Sequence, residues 1–517
     1  MTHLRRRPTF LDRPRVRRVS LLLAAAACGL LLYASFPPVD LWLLAPVAVA
    51  GLALLVRGRR LRTSYVLALA FGLAFFLPLL SWTSVTGSDG WIILSLAESA
   101  IFALLGPVLT LIMRLRWWPL WVATAWVAQE ALRDRQPFGG FPWGRLAFGQ
   151  PHTPFTRLAA VGGAPLVTAA VALTGAALAA LVVGNLRTRA LAVAGLVLVP
   201  CAGLLVPVAT AAQDGNPVVA AIQGNVPDRG IDALGRKQQV LNNHTNVTEQ
   251  LAADVAAGRS PKPDIVLWPE NSSDLDPFED PLAAQLMTQA SQAIGRPILV
   301  GAVLDAGPGK VKNAGLVWGP KGFIGPIYVK QHPVPFAEYL PYRAELQRLV
   351  HRFQTLMPND FVKGTRPGVM PYGPTTLADV ICFEIAEDGI VRSAVTGGGQ
   401  LLVVQTNNAT FGRSGETHQQ LAMTQLRAVE HGRAAVVVAT SGISALVRPD
   451  GSIEARSGIY TPAALVARLP LRSSRTIADR VGATPEWTMT GVTLLAVSLV
   501  VASSVARRRR VDEEEGR

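Results

Sequence analysis

Seven long apolar runs fill the first 212 residues, and an eighth lies near the C-terminus. A run of about 20 apolar residues is long enough to cross a bilayer as a helix. Inside lipid the backbone must satisfy its own hydrogen bonds, so such runs have little choice but to be helical. The runs cover residues 19–36, 39–56, 64–82, 91–113, 117–132, 165–184, 190–210 and 488–506. The first follows a basic lead, as in a signal peptide. Six further runs behind it, and the lack of a small-residue cleavage site, point to a retained anchor. Half of the residues are hydrophobic and 16% are charged, too apolar for an ordinary soluble protein. Three parts result: a membrane domain of seven spans over 1–212, a globular region over 213–480, and an eighth span with its tail over 481–517.

The arginines predict the orientation, because short cytoplasmic loops carry the Lys/Arg excess. Arg5, Arg6, Arg7, Arg13, Arg15, Arg17 and Arg18 precede the first run. Arg57, Arg59, Arg60 and Arg62 follow the second, Arg114 and Arg116 the fourth, Arg187 and Arg189 the sixth, and Arg507 to Arg510 the eighth. Both termini and the even-numbered loops are therefore assigned to the cytoplasm of a bacterial cell, and the globular region to the outside of its plasma membrane. The net charge of +14 is accounted for by topology. A nucleic-acid partner would need those charges gathered on one soluble face, and none is expected.

The globular region alternates strand-like and helix-like stretches: "PVVAAIQGN", "RKQQVLNNHTNVTEQLAADVAAG", "DIVLWPE", "DPLAAQLMTQASQAIG", "PILVGAVL", then "LADVICFEI", "QLLVVQTN", "THQQLAMTQLRAVEHG", "AAVVVATS" and "SALVRPDG". Such alternation predicts an α/β layered domain. In these sheets functional residues gather at the C-terminal ends of strands. Glu270 in "LWPENSS", Lys330 and Glu338 in "IYVKQHPVPFAEYLPYR", and Cys382 in "VICFEIAED" all satisfy that rule. The chain has three cysteines, and Cys28 and Cys201 lie in apolar runs. Cys382 is thus either a small buried hydrophobe or a nucleophile, which needs a base and a stabiliser for negative charge. A carboxylate can remove a thiol proton, and an ammonium group such as that of Lys330 can stabilise an anionic tetrahedral intermediate. Together these residues could form and resolve a thioester.

The order of Glu in "WPE", Lys in "YVKQHPVPFAEYLP" and Cys in "CFE" resembles the carbon–nitrogen hydrolase (nitrilase) superfamily. The seven spans before this region and one after it, "GGFPWGRLAFGQ" and "THQQLAMTQLRAVEHGRA" narrow the resemblance to the apolipoprotein N-acyltransferase family. It implies a polytopic α-helical membrane domain with an extracytoplasmic nitrilase-like αββα sandwich. It further implies Glu270 as general base, Lys330 as intermediate stabiliser, Cys382 as nucleophile and Glu338 as a supporting acid. Phe383 stands where tyrosine is frequent in this family, Ala337 replaces a common glycine, and "VATSGIS" lacks frequent asparagines.

The loop "LRDRQPFGGFPWGRLAFGQPHTPFTR" carries Arg133, Arg135, Arg145 and Arg157 among aromatics, against the charge rule for an outside loop. Aromatics suit the membrane interface and arginines suit phosphate; ordinary interfacial anchoring is the alternative. Arg133 and Trp143 here, with Phe383 and Glu384 beside the thiol, are candidate substrate-binding residues. The resemblance implies a phospholipid acyl donor and, as acceptor, the N-terminal S-diacylglyceryl-cysteine of an apolipoprotein. No His/Cys cluster has metal-ligand spacing, so no cofactor is expected. A membrane-anchored amidase, in which water resolves the thioester, is the near alternative. A transporter with an outer binding domain is the far one: intramembrane charge would favour it, but Glu98 and Glu130 stand isolated in their runs.

Overall fold

The computed structural model describes residues 14–226, 237–349 and 357–515. Arg5, Arg6, Arg7 and Arg13 lie outside the described residues. Each of the eight apolar runs holds helix, but not all to crossing length. Arg15–Ala34, Leu61–Leu79, Ser88–Ile112, Thr156–Val183, Leu186–Leu205 and Thr484–Glu514 are long and apolar enough to cross a membrane. The run at 39–56 is helical only over Leu44–Val56, 13 residues, because turns occupy its start. The run at 117–132 is the helix Trp118–Arg133, 16 residues, with Pro119 in its first turn, where a missing N–H costs nothing.

Among the described residues the globular region has thirteen strands: β1 Val218–Gln223, β2 Ile265–Leu267, β3 Ile298–Asp305, β4 Lys310–Gly319, β5 Gly322–Val329, β6 Asp360–Phe361, β7 Val369–Tyr372, β8 Thr375–Ile381, β9 Leu401–Thr406, β10 Ala435–Ala439, β11 Ala445–Val447, β12 Ile453–Arg456 and β13 Ala463–Arg468. One sheet runs β13-β1-β2-β3-β4-β5 with β6 beside β4, and the other β12-β11-β10-β9-β8-β7. Each has a parallel centre, β1-β2-β3 in one and β8-β9-β10 in the other, with antiparallel flanks.

Side chains alternate across a strand, and here both faces are covered. In β9, Leu401 and Val403 enter the core between the sheets, while Leu402 and Val404 face outward. In β2, Ile265 and Leu267 point inward, and Val266 joins the core beneath the helices Lys237–Ala256 and Pro281–Ile294. The result is a four-layer αββα sandwich. Its second outer layer, the helices Asp388–Thr396 and Glu416–His431, shares one continuous apolar core with the membrane helices. Glu416–His431 is therefore buried on nearly every side.

Polar groups also cross this junction. Arg145 bonds Asp388 at 2.7 Å, and Arg427 bonds the same carboxylate at 2.5 Å and Glu430 at 2.5 Å. Glu98 and Glu130, isolated in sequence, are paired in space. Glu98 meets Arg133 at 2.9 Å, and Glu130 accepts from Leu146 N and Thr168.

Candidate active site

Glu270, Lys330 and Cys382 each lie just beyond a strand end, after β2, β5 and β8. The two sheets face each other, so three segments distant in sequence converge. Lys330 Nζ lies 2.8 Å from Glu338 Oε1 and 3.4 Å from Glu270 Oε1. Asn313, inward on β4, donates to the same two oxygens, at 2.6 Å to Glu270 and 3.2 Å to Glu338. The backbone N–H of Asn407 donates to Glu270 Oε2 at 2.8 Å, and that of Val334 to Glu338 Oε2 at 2.7 Å. Glu270 is thereby held at both oxygens.

Cys382 opens the tight turn Cys382–Ala386 with φ 54, in the left-handed region that is costly for a side chain with Cβ. The turn is tied on both sides. Glu384 accepts from Ile381 N, Tyr328 Oη, Gln331 N and His332 N, which links the thiol turn to the segment carrying Lys330. Arg427 donates to Ile385 O and Ala386 O, each at 2.9 Å.

Burial pushes the Cys382 thiol well above its usual range, and Glu270 adds to that while Lys330 opposes it. Burial raises Glu270 as well, against the pull of Lys330. Burial works to discharge Lys330, but Glu338 and Glu270 outweigh it and hold the ammonium charged. Burial, with Lys363 and Lys330 beside it, lowers His332 to about 4, so its ring is neutral. This leaves a thiol that burial keeps protonated beside a carboxyl group and an ammonium group, both held in place by hydrogen bonds. Such an arrangement can move the thiol proton as attack occurs, and stabilise the oxyanion that follows.

An aromatic wall stands beside the thiol. Trp143 stacks on Phe383 at 5.8 Å and 15°, and Phe141 lies 5.3 Å from Phe383. Trp82, past the end of the helix Leu61–Leu79, packs on Trp143 and on Phe411. The wall joins the membrane helices to the residue after Cys382. A cleft of about 850 Å³ adjoins the site without including Glu270 or Cys382; Gln331, His332, Ala386 and Glu387 border it.

Two candidate substrate contacts are corrected. Arg133 is 1% exposed and spends its guanidinium on Glu98, Phe141 O and Trp143 O, so it organises the loop and is not offered to a phosphate. Glu384 is fully buried with four donors on it and holds the turn. Of the other loop arginines Arg145 is buried against Asp388, whereas Arg135, on Glu486, and Arg157, on Leu204 O, stay exposed. Two of the charges that break the rule for outside loops, Arg133 and Arg145, here neutralise acids of the interior. Trp143, 2% exposed, and Phe383 stay at the site within the wall.

The sequence reading missed Asn313, Asn407, Asn408, Glu416 and Gln420. Asn313 carried a signal, a lone amide in the apolar stretch "NAGLVW". Glu416 and Gln420 carried none, since a polar face on a helix ordinarily meets water.

Residues 28–177 match the apolipoprotein N-acyltransferase N-terminal domain, and residues 218–479 match the carbon–nitrogen hydrolase family. An apolipoprotein N-acyltransferase of Mycolicibacterium smegmatis is 38% identical, over 95% of this chain and 88% of its own. The chain belongs to the apolipoprotein N-acyltransferase family. A second such family member, from Photobacterium profundum, is 27% identical over 95% of both chains. An amidase from Nesterenkonia sp. overlays at a TM-score of 0.38 and 19% identity, covering 51% of this chain and 94% of its own. Like other apolipoprotein N-acyltransferases, this is a multi-pass bacterial membrane protein carrying a nitrilase-like domain.

Proposed function

We propose that this protein transfers a fatty acyl chain from a phospholipid to the α-amino group of the N-terminal S-diacylglyceryl-cysteine of apolipoproteins. Cys382 is the nucleophile, Glu270 the general base, and Lys330 the stabiliser of both tetrahedral intermediates; Glu338 holds Lys330. Glu270 takes the thiol proton as sulfur attacks the donor ester. The ester C–O bond breaks, the leaving alcohol takes the proton back, and the acyl group stays on sulfur. The amine then attacks the thioester and loses a proton to Glu270; the C–S bond breaks, and Glu270 returns the proton to the leaving sulfur. Donor and acceptor thus react in turn at one site.

The observation that carries this reading is the continuity between the thiol and the membrane. Phe383, next to Cys382, stacks on Trp143 and packs at a tilt against Phe141 of a membrane-domain loop. A soluble amide needs no such wall, whereas an acyl chain leaving the bilayer needs an apolar surface up to the sulfur. Trp143 and Phe383 are the substrate-facing residues in this reading. The catalytic region, 213–480, lies outside the cell membrane, with both termini cytoplasmic.

The test is incubation of the purified protein with phospholipid alone, followed by mass spectrometry of the Cys382 peptide. An acyl adduct that disappears on adding a diacylglyceryl peptide, with N-acyl peptide appearing, is the expected result. An adduct lost equally fast without peptide would mean that water is the acceptor and the enzyme a hydrolase.

A further inference from the structure

Lys330 is the cation acting on Cys382, and it is itself bonded to Glu338 and Glu270. Glu416 and Glu338 also oppose the thiolate. A neutral donor aimed at sulfur would relieve this field. Gln420, on the helix Glu416–His431, supplies one. It is 1% exposed, and its Nε2 lies 3.8 Å from Cys382 Sγ. Which end of an amide faces a neighbour is read from the surrounding bonds, and here Asn408 sets it. Asn408 Nδ2 lies 2.6 Å from Glu416 Oε2 and 3.1 Å from Gln420 Oε1. Its NH₂ group serves both oxygens, so Gln420 turns its oxygen to Asn408 and its NH₂ to the sulfur. Asn408 is itself packed closely: a Cβ on Gly442 would collide with its Oδ1.

We propose that Gln420 is a further catalytic residue, donating from Nε2 to the Cys382 thiolate, with Asn408 as its positioning residue. The inference rests on Cys382 as the reacting sulfur. When the thiol proton passes to Glu270, Gln420 gives up no proton and its N–H bonds the sulfur anion. When the amine later displaces the thioester, the C–S bond breaks, its electron pair returns to sulfur, and the same N–H receives it. The donor therefore acts at both ends of the thioester's lifetime. Its amide has no charge to be silenced by burial.

The test reads the sulfur alone and uses no acyl transfer. The full-length protein in detergent is alkylated with iodoacetamide across a pH range, and the Cys382 peptide is quantified separately from those of Cys28 and Cys201. A hydrogen bond to a charged group contributes enough that Gln420→Leu should move the labelling midpoint up by about one to two pH units. Labelling at neutral pH should fall by about 10- to 100-fold. Gln420→Glu, nearly isosteric, removes the donor and adds an anion, so it should move the midpoint further up. Asn408→Leu should move it in the same direction by less. Thermal melts identify the folded variants. An unchanged midpoint in folded Gln420→Leu, or in Gln420→Glu should the first not fold, overturns the proposal. The family reaction would stand in that case, since the acyl adduct on the parent protein is a separate measurement.

Discussion

Lys330 Nζ sits closer to Glu338, at 2.8 Å, than to Glu270, at 3.4 Å. The lysine is anchored more tightly by the acid of its own loop than by Glu270, the base of the proposed mechanism. Charge-assisted bonds of this kind are short and directional. Glu338→Gln weakens that anchor, and Lys330 should then settle on Glu270 and lower its basicity. Misplacement of a catalytic group by about 1 Å can cost about 10²-fold. Single-turnover formation of acyl-Cys382 should slow by that order, with the protein still folded. An unchanged rate would remove Glu338 from the mechanism.

Glu270 and Lys330 should fail differently. Glu270→Gln removes the base, a contribution of about 10²–10⁴-fold, and raising the pH should recover part of the acylation rate. Lys330→Met removes the charge facing both intermediates, at a cost on the order of 10²–10³-fold, and alkali should not rescue it. Cys382→Ala should abolish the adduct, and Cys382→Ser should nearly do so, because a hydroxyl is far harder to deprotonate than a thiol. Equal rescue of Glu270→Gln and Lys330→Met by alkali would refute the division of roles.

Glu416 offers a pH test. Burial raises its carboxyl from the usual range to about 8, against the bond from Asn408. An acid raised on folding adds stability below its unfolded value, about 4.5, and that stability is lost as pH climbs through about 8. Glu416→Gln is neutral throughout and keeps an oxygen for Asn408. Relative to parent, its melting temperature should therefore gain between pH 6 and pH 9. A parallel pair of melting curves would show that Glu416 does not titrate there.

The junction between the two halves depends on Arg145. Burial works to raise Asp388, but Arg145 and Arg427 pull it well below the usual carboxylate range. Its contribution is thus present above about pH 4 and lost as pH falls below that. Arg145→Met strands Asp134 as well as part of the field on Asp388. Breaking a buried pair from one side costs about 3–5 kcal/mol, which detergent-phase unfolding should register. A loss below about 1 kcal/mol would mean that Arg427 alone satisfies Asp388.

The proposed orientation predicts that reporter fusions after Gly215 and after Arg480 read as extracytoplasmic, and a fusion after Arg510 as cytoplasmic. A cytoplasmic signal at Gly215 would put the catalytic region on the wrong side for exported lipoproteins.

The helical nature of the apolar runs was legible because lipid leaves a backbone no other partner than itself. The central strands of the catalytic region were legible because Leu401 to Val404 and Val436 to Val438 are short continuous apolar runs, as strands buried on both faces require. The strand ends marked Glu270, Lys330 and Cys382, since an acid, a base or a thiol after an apolar run stands out. The length of the second helix was not legible. Composition carries through a turn, and only the backbone shows that helix starts at Leu44. The strands β4 and β13 were missed as well, because "KVKNAGLVWG" and "AALVAR" mix charge with apolar residues.

Tertiary structure decided what each polar side chain meets. Arg133 in sequence is a cation in an outside loop; in the fold it lies 2.9 Å from Glu98, 35 residues away, and closes on two carbonyls. Gln420 in sequence is one amide on an amphipathic helix; in the fold that helix is covered by membrane helices on the face that would meet water, and its amide reaches the sulfur. Burial and charge pairing act over a few ångströms between segments hundreds of residues apart. Periodicity and strand-end position are local and can be read along the chain, whereas the partner of a buried charge exists only once the chain has folded.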